Sequence, residues 1–375
     1  MPFRRPWHVL VCATIAMAAQ AADAQTVPGP PAEPAKPLTW RESLDAGRER
    51  LAERLFGLKP SAFGDVLAAP DEAGRRKVDW GSFELDLSGE FKEVVEAAAA
   101  VVTSREGTKL PVAFLDVHPF GGTIAPRGRL WVEKGFHIQA GRFDVPFGND
   151  WQFFASKDSV SISRPLTTDG IMDGGYNDVG VRVLGNDGTV NFNTFILRGF
   201  GDGRLAGGRL GFTPFGNPFS LQAVRDPKTL EFGFSYLYDT GADRRKREMV
   251  WAADAEGRVG PWYLRGEYLL RRQEPDATHE RLTRRGWHLT QECAFPDLPA
   301  PTTVFLRYER MGQLPAEAST GDDHDVRAAA GLSVTLAGIL QLKAEWQHVL
   351  EATAATREAP GFSPNVWLAQ VVVVF

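Results

Sequence analysis

Taken backwards in steps of two, the end of the chain gives Phe375, Val373, Val371, Ala369 and Trp367, and all five are apolar. Side chains of a strand alternate between its two faces, so these five share one face. In water, an apolar strand at a free edge templates aggregation. A closed barrel in a bilayer pairs both edges of that strand and turns its apolar face to lipid. The terminal segment therefore predicts a strand of a transmembrane barrel. The competing reading is a buried last strand in a soluble sheet.

The same two-residue period runs from Trp80 onward. Phe83, Leu85 and Leu87 alternate with Glu84, Asp86 and Ser88, and Phe232, Phe234 and Tyr236 alternate with Glu231, Gly233 and Ser235. Leu340, Leu342, Ala344 and Trp346 alternate with Gln341, Lys343, Glu345 and Gln347. These runs approach the ~10 residues that cross a bilayer when tilted. A mean hydropathy of −0.22 and the lack of any mature apolar run near ~20 residues argue against spanning helices. Such a hydropathy suits a barrel, in which only alternate residues meet lipid.

Connections alternate too. Short turns at Gly185–Gly188, Glu256–Gly260 and Ala337–Gly338 alternate with long polar loops at 239–247, 273–283, 311–324 and 351–361. That asymmetry is the periplasmic-turn, external-loop pattern of outer-membrane barrels. Counting back from Phe375 reaches a strand at Phe136–Val145, and four earlier strands fall near 82–91, 94–103, 110–118 and 127–133. The expectation is an all-β, antiparallel transmembrane barrel of sixteen strands over 80–375, with fourteen as the fallback.

Ahead of it, Arg4 and Arg5, an apolar stretch from Val9 to Ala19 and the small-x-small site Ala22-Asp23-Ala24 read as a signal peptide over 1–24. Residues 25–79 then hold a proline-rich linker and a short amphipathic periplasmic helix at Trp40–Phe56. Only Cys293 remains in the mature chain, which supports neither a disulfide nor a thiolate metal site.

The strand at 136–145 breaks its own alternation, because Phe136, Ile138 and Ala140 have one parity and Phe143 and Val145 the other. A bulge at Gly141 would restore register and turn Arg142 and Asp144 into the lumen together. The segment Gln139 to Gly148, with Ala140-Gly141-Arg142-Phe143 and Val145-Pro146-Phe147-Gly148, resembles the strand and loop start of the phosphate-selective porins. The terminal Phe375 resembles the assembly signal of outer-membrane barrels. What these resemblances imply is a passive sixteen-stranded channel, commonly a homotrimer, with a loop folded into the pore. They also imply contact of the terminal strand (Trp367, Val371, Val373, Phe375) with the barrel-assembly machinery. Asn149–Asn177 is the natural candidate for the pore loop.

The expected pore lining and constriction comprise Arg142, Asp144, Lys157, Arg164, Arg182, Arg265, Glu267, Arg307, Lys343 and Glu345. Opposite signs are mixed there, which orients dipolar solutes and selects weakly between ions. The function expected is passive diffusion of small hydrophilic solutes or ions across the outer membrane of a Gram-negative bacterium, with phosphate a suggestion of the resemblance. A non-conducting structural or adhesion barrel is the alternative.

An enzyme is the weakest reading. The histidines follow neither HExxH spacing nor a GxSxG nucleophile. His348 alone has the lipid-side placement a barrel phospholipase would use for its base. No catalytic residue, cofactor or metal site is expected. Arg244-Arg245-Lys246-Arg247, Arg271-Arg272, Arg281 and Arg284-Arg285 fall at external loops, where lipopolysaccharide phosphates are the expected partner. Nucleic acid is excluded by compartment.

Overall fold

Sixteen antiparallel strands close into a single ring in which every strand pairs with its sequence neighbours and β1 pairs with β16. This computed structural model describes residues 58–375 apart from 72–73, 92–93, 122–132, 154, 199–202, 217–227, 241–246, 275–281 and 316–323, with scattered positions between 43 and 52. The first eight strands are β1 (Lys59–Pro70), β2 (Arg76–Phe91), β3 (Val95–Ser104), β4 (Gly107–Gly121), β5 (Gly135–Asp144), β6 (Asn177–Asn186), β7 (Val190–Arg198) and β8 (Arg204–Phe215). The rest are β9 (Lys228–Asp239), β10 (Glu248–Val259), β11 (Trp262–Gln273), β12 (Leu282–Phe295), β13 (Thr302–Pro315), β14 (His324–Leu336), β15 (Leu340–Glu351) and β16 (Asn365–Val374). Two one-turn helices, α1 (Leu166–Ile171) and α2 (Ala354–Glu358), lie in connections.

Alternation sorts the side chains as a barrel requires. Leu115, Ile196, Leu210, Phe234, Leu306 and Trp367 all lie on the outer surface and are more than half exposed. Such an apolar exterior needs an apolar medium, and a bilayer supplies one. Aromatic pairs ring this exterior towards the end that carries the long loops: Tyr236–Trp251 at 5.7 Å, Trp287–Tyr308 at 5.5 Å and Trp346–Trp367 at 6.3 Å between centroids. Phe136–Phe192 and the exposed Trp262 and Phe295 mark the opposite, turn end. Two such girdles are what the two interfaces of a membrane select. The face of Trp367, Val371, Val373 and Phe375 does point outward. The backbone of Phe375 is tied to Ala62 by N–H···O bonds of 2.7 and 3.2 Å, so the ring closes on the last residue.

The ring begins at Lys59 and not at Trp80. β1 alternates regularly, but its inward face mixes Phe63 with Asp65 and its outward face carries the small Ala62 and Gly64 beside Val66, so it lacks an apolar–polar period. The register shift at Gly64/Val66 places the extra residue in β2. The strand expected near 127–133 falls largely outside the described residues, and β4 pairs directly with β5. Two errors cancelled, and the count of sixteen stands. The signal peptide and linker lie outside the described residues. Of the expected helix at 40–56, Ser43, Ala46, Gly47, Glu49, Arg50 and Ala52 are described, and all are helical.

The bulge expected at Gly141 does not form. β5 pairs with β6 without a break from Gly135↔Asn186 to Asp144↔Asn177. Parity therefore carries straight through, and Phe143 turns inward with no exposed surface. Gly141 instead adopts φ 139°, and a Cβ there would lie 2.2 Å from the Ala113 carbonyl oxygen. Glycine is required at this position by conformation and close approach. Arg142 stands opposite Ala113 and the exposed Val179, on the outer face.

Part of the interior is a packed apolar core. Phe114, Phe143, Phe195, Leu205, Leu237, Val250 and Leu269 line the wall, and Val145, Phe147, Ile171, Met172 and Tyr176 from the β5–β6 connection pack on them. These wall residues are the inward members of strands whose other inward members are charged. The apolar ones gather at one level and hold the connection inside the ring.

Candidate functional site

The connection from Val145 to Tyr176 crosses the lumen, and its sequence explains its course. Val145 N–H bonds the Tyr176 carbonyl at 2.8 Å, closing the base of the loop. Gly148 then takes φ 67°, which permits the inward bend, and its N–H reaches Ser235 Oγ at 3.0 Å. A Cβ on Gly148 would stand 2.3 Å from a Glu267 carboxylate oxygen. The Val-Pro-Phe-Gly segment is thus two core anchors and a glycine pivot.

Beyond the pivot the loop is held by wall carboxylates that accept its N–H groups. Glu267 on β11 accepts from Asn149 and Asp150 at 3.0 and 3.3 Å. On β13, Glu309 accepts from Leu166, the first residue of α1, at 2.6 Å. Glu345 on β15 accepts from Ile162 and Ser163 at 2.7 and 3.0 Å, and from the Ser163 hydroxyl. Each bond satisfies a loop amide that would otherwise be stranded inside the ring.

Wall cations take the carbonyls. Arg271 donates to Ile171 at 2.8 Å, Arg284 to Gly170 at 3.1 Å and Arg307 to Ser163 at 3.0 Å. Arg327 donates to Arg164 at 2.8 Å, and Lys343 to Ser159 at 2.6 Å and to Ser156. Side chains complete the clamp. Arg265 pairs with Asp150 at 3.0 Å, and Thr167 meets His288 Nδ1 at 2.9 Å. Burial alone would raise the Asp150 carboxyl. The Arg265 guanidinium, with His288 and the Thr168 hydroxyl, outweighs it and holds Asp150 below the ordinary carboxylate value.

The expected site residues divide three ways. Arg265, Glu267, Arg307, Lys343 and Glu345 meet the loop and are almost wholly buried by it. Lys157 and Arg164 are on the loop itself. Lys157 pairs with its neighbour Asp158 at 2.8 Å, and Arg164 donates to the Gly174 carbonyl. The remaining three stand apart. Arg142 is on the outer face, against the expectation that it lines the pore. Asp144, at the strand end, accepts from Asn177 at 2.9 Å. Arg182 is buried, bonded to Gln139 and stacked 4.4 Å over the Phe143 ring.

Arg271, Arg284, His288 and Asp65 are loop or lumen contacts absent from the expected set. Arg271 and Arg284, expected on external loops, lie instead at inward positions of β11 and β12, and His288 stands in register with Glu267, so continued alternation carried the signal. Asp65 lay in the segment assigned outside the barrel; it accepts from Ser82 N–H at 3.1 Å and Gln370 at 2.8 Å.

A closed antiparallel barrel with an inward-folded loop after its fifth strand is the porin fold, and solved structures agree. The loop L8 deletion mutant of OmpT, an outer membrane protein of Vibrio cholerae, aligns at TM-score 0.58 and 10% identity, covering 85% of this chain and 99% of its own. An anion-selective porin from Comamonas acidovorans aligns at 0.56 and 12%, covering 85% and 100%. The Salmonella typhi OmpF complex with daunomycin aligns at 0.59 and 10%, covering 85% and 97%. Identities this low establish the fold and leave activity to the residues of this chain. No protein-family model matches the sequence, and no curated relative is found for it.

Proposed function

We propose that this chain is an outer-membrane porin that lets small hydrophilic solutes and ions diffuse passively, with a weak preference for cations. The observation carrying this reading is a sixteen-stranded ring whose charged interior is crossed by a loop pinned to the wall. Eight strands fill with their own side chains, whereas sixteen leave room for an aqueous path.

The sign of the preference follows from the balance of fixed charges on the wall. Arg265, Arg271, Arg307, Arg327 and Lys343 are bonded to the loop or to its carboxylates. Among the described residues, the inward positions of β2, β3 and β4 between Glu84 and His118 carry five carboxylates, Glu84, Asp86, Glu90, Glu96 and Asp116, against one lysine, Lys109, which pairs with Glu106 at the strand end. A wall of carboxylates raises the local concentration of cations. Phosphate selectivity, which the resemblance of the 139–148 segment suggests, would need free lumen cations, and Arg142 on the outer face does not supply one.

The competing reading is a non-conducting barrel, favoured by the tight burial of Arg182, Arg307, Glu309 and Glu345 at 2% exposure or less. Planar bilayers separate the two. The channel reading expects discrete conductance steps and a reversal potential of cation sign in a potassium chloride gradient. Folded protein that never conducts would establish the structural barrel, and an anion-sign potential would restore the phosphate reading.

An enzyme finds little support. His348 bonds Asn365 at 2.9 Å and stacks on Trp346, and neither partner is a nucleophile. Cleavage of residues 1–24, a homotrimer and lipopolysaccharide contact by the basic loops belong to this same proposal. The terminal strand would be read by the assembly machinery. Phe375→Ala would then lower outer-membrane levels in cells while leaving detergent refolding intact, because Phe375 bonds Ala62 through its backbone.

A further inference from the structure

Pairing of β4 with β5 builds a second polar cluster near the turn end, away from the loop. Asp116 and His118 occupy successive inward positions of β4, and His137 faces inward on β5. All three are buried to 1% exposure or less. Both imidazoles aim Nδ1 at a single oxygen, Asp116 Oδ2, from 3.0 and 2.8 Å. One ligand atom from each residue lies within 4.8 Å of the others.

Hydrogen bonding alone leaves this cluster incomplete. Two neutral imidazoles can each donate Nδ1–H to the carboxylate, but His118 Nε2 and Asp116 Oδ1 are then buried with no hydrogen-bond partner among the described residues. Stranded buried groups cost ~1–3 kcal/mol each. Asp116 also stands in register with Glu96, which stands in register with Glu90. Like charges directly opposite one another destabilise a sheet. A bound cation relieves this repulsion and gives the imidazoles a task suited to their aim.

We propose that Asp116, His118 and His137 bind a divalent transition-metal ion of the zinc class from the lumen side. Two imidazole nitrogens and one carboxylate oxygen form a donor set suited to zinc, with a fourth position left for water. Zinc holds such atoms at ~2.0–2.2 Å, which keeps tetrahedral neighbours ~3.3–3.6 Å apart. The two imidazole–carboxylate distances, 3.0 and 2.8 Å, need to open by only a few tenths of an ångström. Metal on both Nδ1 atoms places the remaining ring protons on Nε2. Glu90 Oε1 stands 3.7 Å from His118 Nε2, ready to accept that proton's hydrogen bond. A carboxylate behind a ligating imidazole is the usual outer support of such a site. The Glu90 side chain is 47% exposed, which gives a hydrated ion a way in.

The test uses the tag-free, folded full chain in detergent, stripped by chelator and titrated with Zn²⁺ by calorimetry. Visible absorption with Co²⁺ reports nitrogen-containing, tetrahedral coordination. One ion per chain is expected. Glu90→Gln should weaken binding ~10-fold, and His118→Gln with His137→Gln ~100-fold or more. Heat-modifiable mobility verifies folding of each variant, and the two glutamine replacements preserve polarity should Asp116 variants fail to fold. Folded wild-type protein that binds no zinc stoichiometrically, or a folded double variant that binds like wild type, overturns the proposal.

Discussion

Strands β11–β15 and strands β2–β4 present inward charges at the same two-residue period, yet the two stretches of wall do different work. On β11–β15 the charges alternate in sign, and nearly all of them grip the pore loop: carboxylates on its amides, guanidinium and ammonium groups on its carbonyls. On β2–β4 the described inward charges between Glu84 and His118 are carboxylates apart from Lys109 at the strand end, and the three in register, Glu90, Glu96 and Asp116, sit side by side. The first stretch is a clamp and the second is a predominantly acidic wall. Charge pattern on a strand does not reveal its task until the opposing backbone is known.

Breaking the clamp should have the largest effect. Glu309→Ala with Glu345→Ala removes the acceptors of Ile162, Ser163 and Leu166. Each charge-assisted bond is worth ~1.5–3 kcal/mol, so loop anchoring should fall by several kcal/mol. Rapid proteolysis within 149–176 and a larger, noisier conductance are expected, and a loop as resistant as in wild type would refute the clamp.

Neutralising the other stretch should leave the loop alone. Glu84→Gln with Asp86→Gln should reduce the cation-to-anion permeability ratio by ~2-fold, because a lumen field scales with its fixed charge. Reversal potentials in a salt gradient read this, and unchanged proteolysis of the loop keeps the two stretches distinct.

A smaller effect is expected from acid. Asp150 is held below its ordinary value in the folded protein. Its contribution to anchoring is therefore complete above the unfolded carboxylate value of ~4 and disappears as pH falls through the lower, folded value. Loop protection should weaken in that acid window. Asp150→Asn should abolish the acid step while lowering protection at neutral pH by ~1–2 kcal/mol, measured by proteolysis rates across pH.

The smallest effect belongs to Arg142→Ala. Its side chain is on the outer face, paired with Asp178 at 3.4 Å, so conductance and reversal potential should match wild type. A shift in ion selectivity would return Arg142 to the pore.

The fold was legible because membrane barrels write their two faces into alternate residues. Phe375, Val371 and Trp367 could be placed outward from sequence alone, and so could the turn-and-loop asymmetry that gives an even strand count. Reading failed where the two faces were mixed in character or overruled. β1 was hidden because Phe63 faces inward beside Asp65 while small Ala62 and Gly64 face out, and Gly141 invites a bulge only if Phe143 faces lipid. Phe143 is instead part of an interior core, and no periodicity distinguishes a phenylalanine that meets lipid from one that meets a folded-in loop.

What the sequence determined by itself is the local alternation, and with it the ring and most of its inward side chains. The partners of those side chains were decided by tertiary structure. Glu345 and Ser163 lie far apart in the chain and meet only because the loop folds inward, whereas Asp116 and His137 meet through the register in which β4 pairs with β5. Alternation is a property of neighbouring residues, whereas compensation of a buried charge depends on whatever the rest of the chain carries to it.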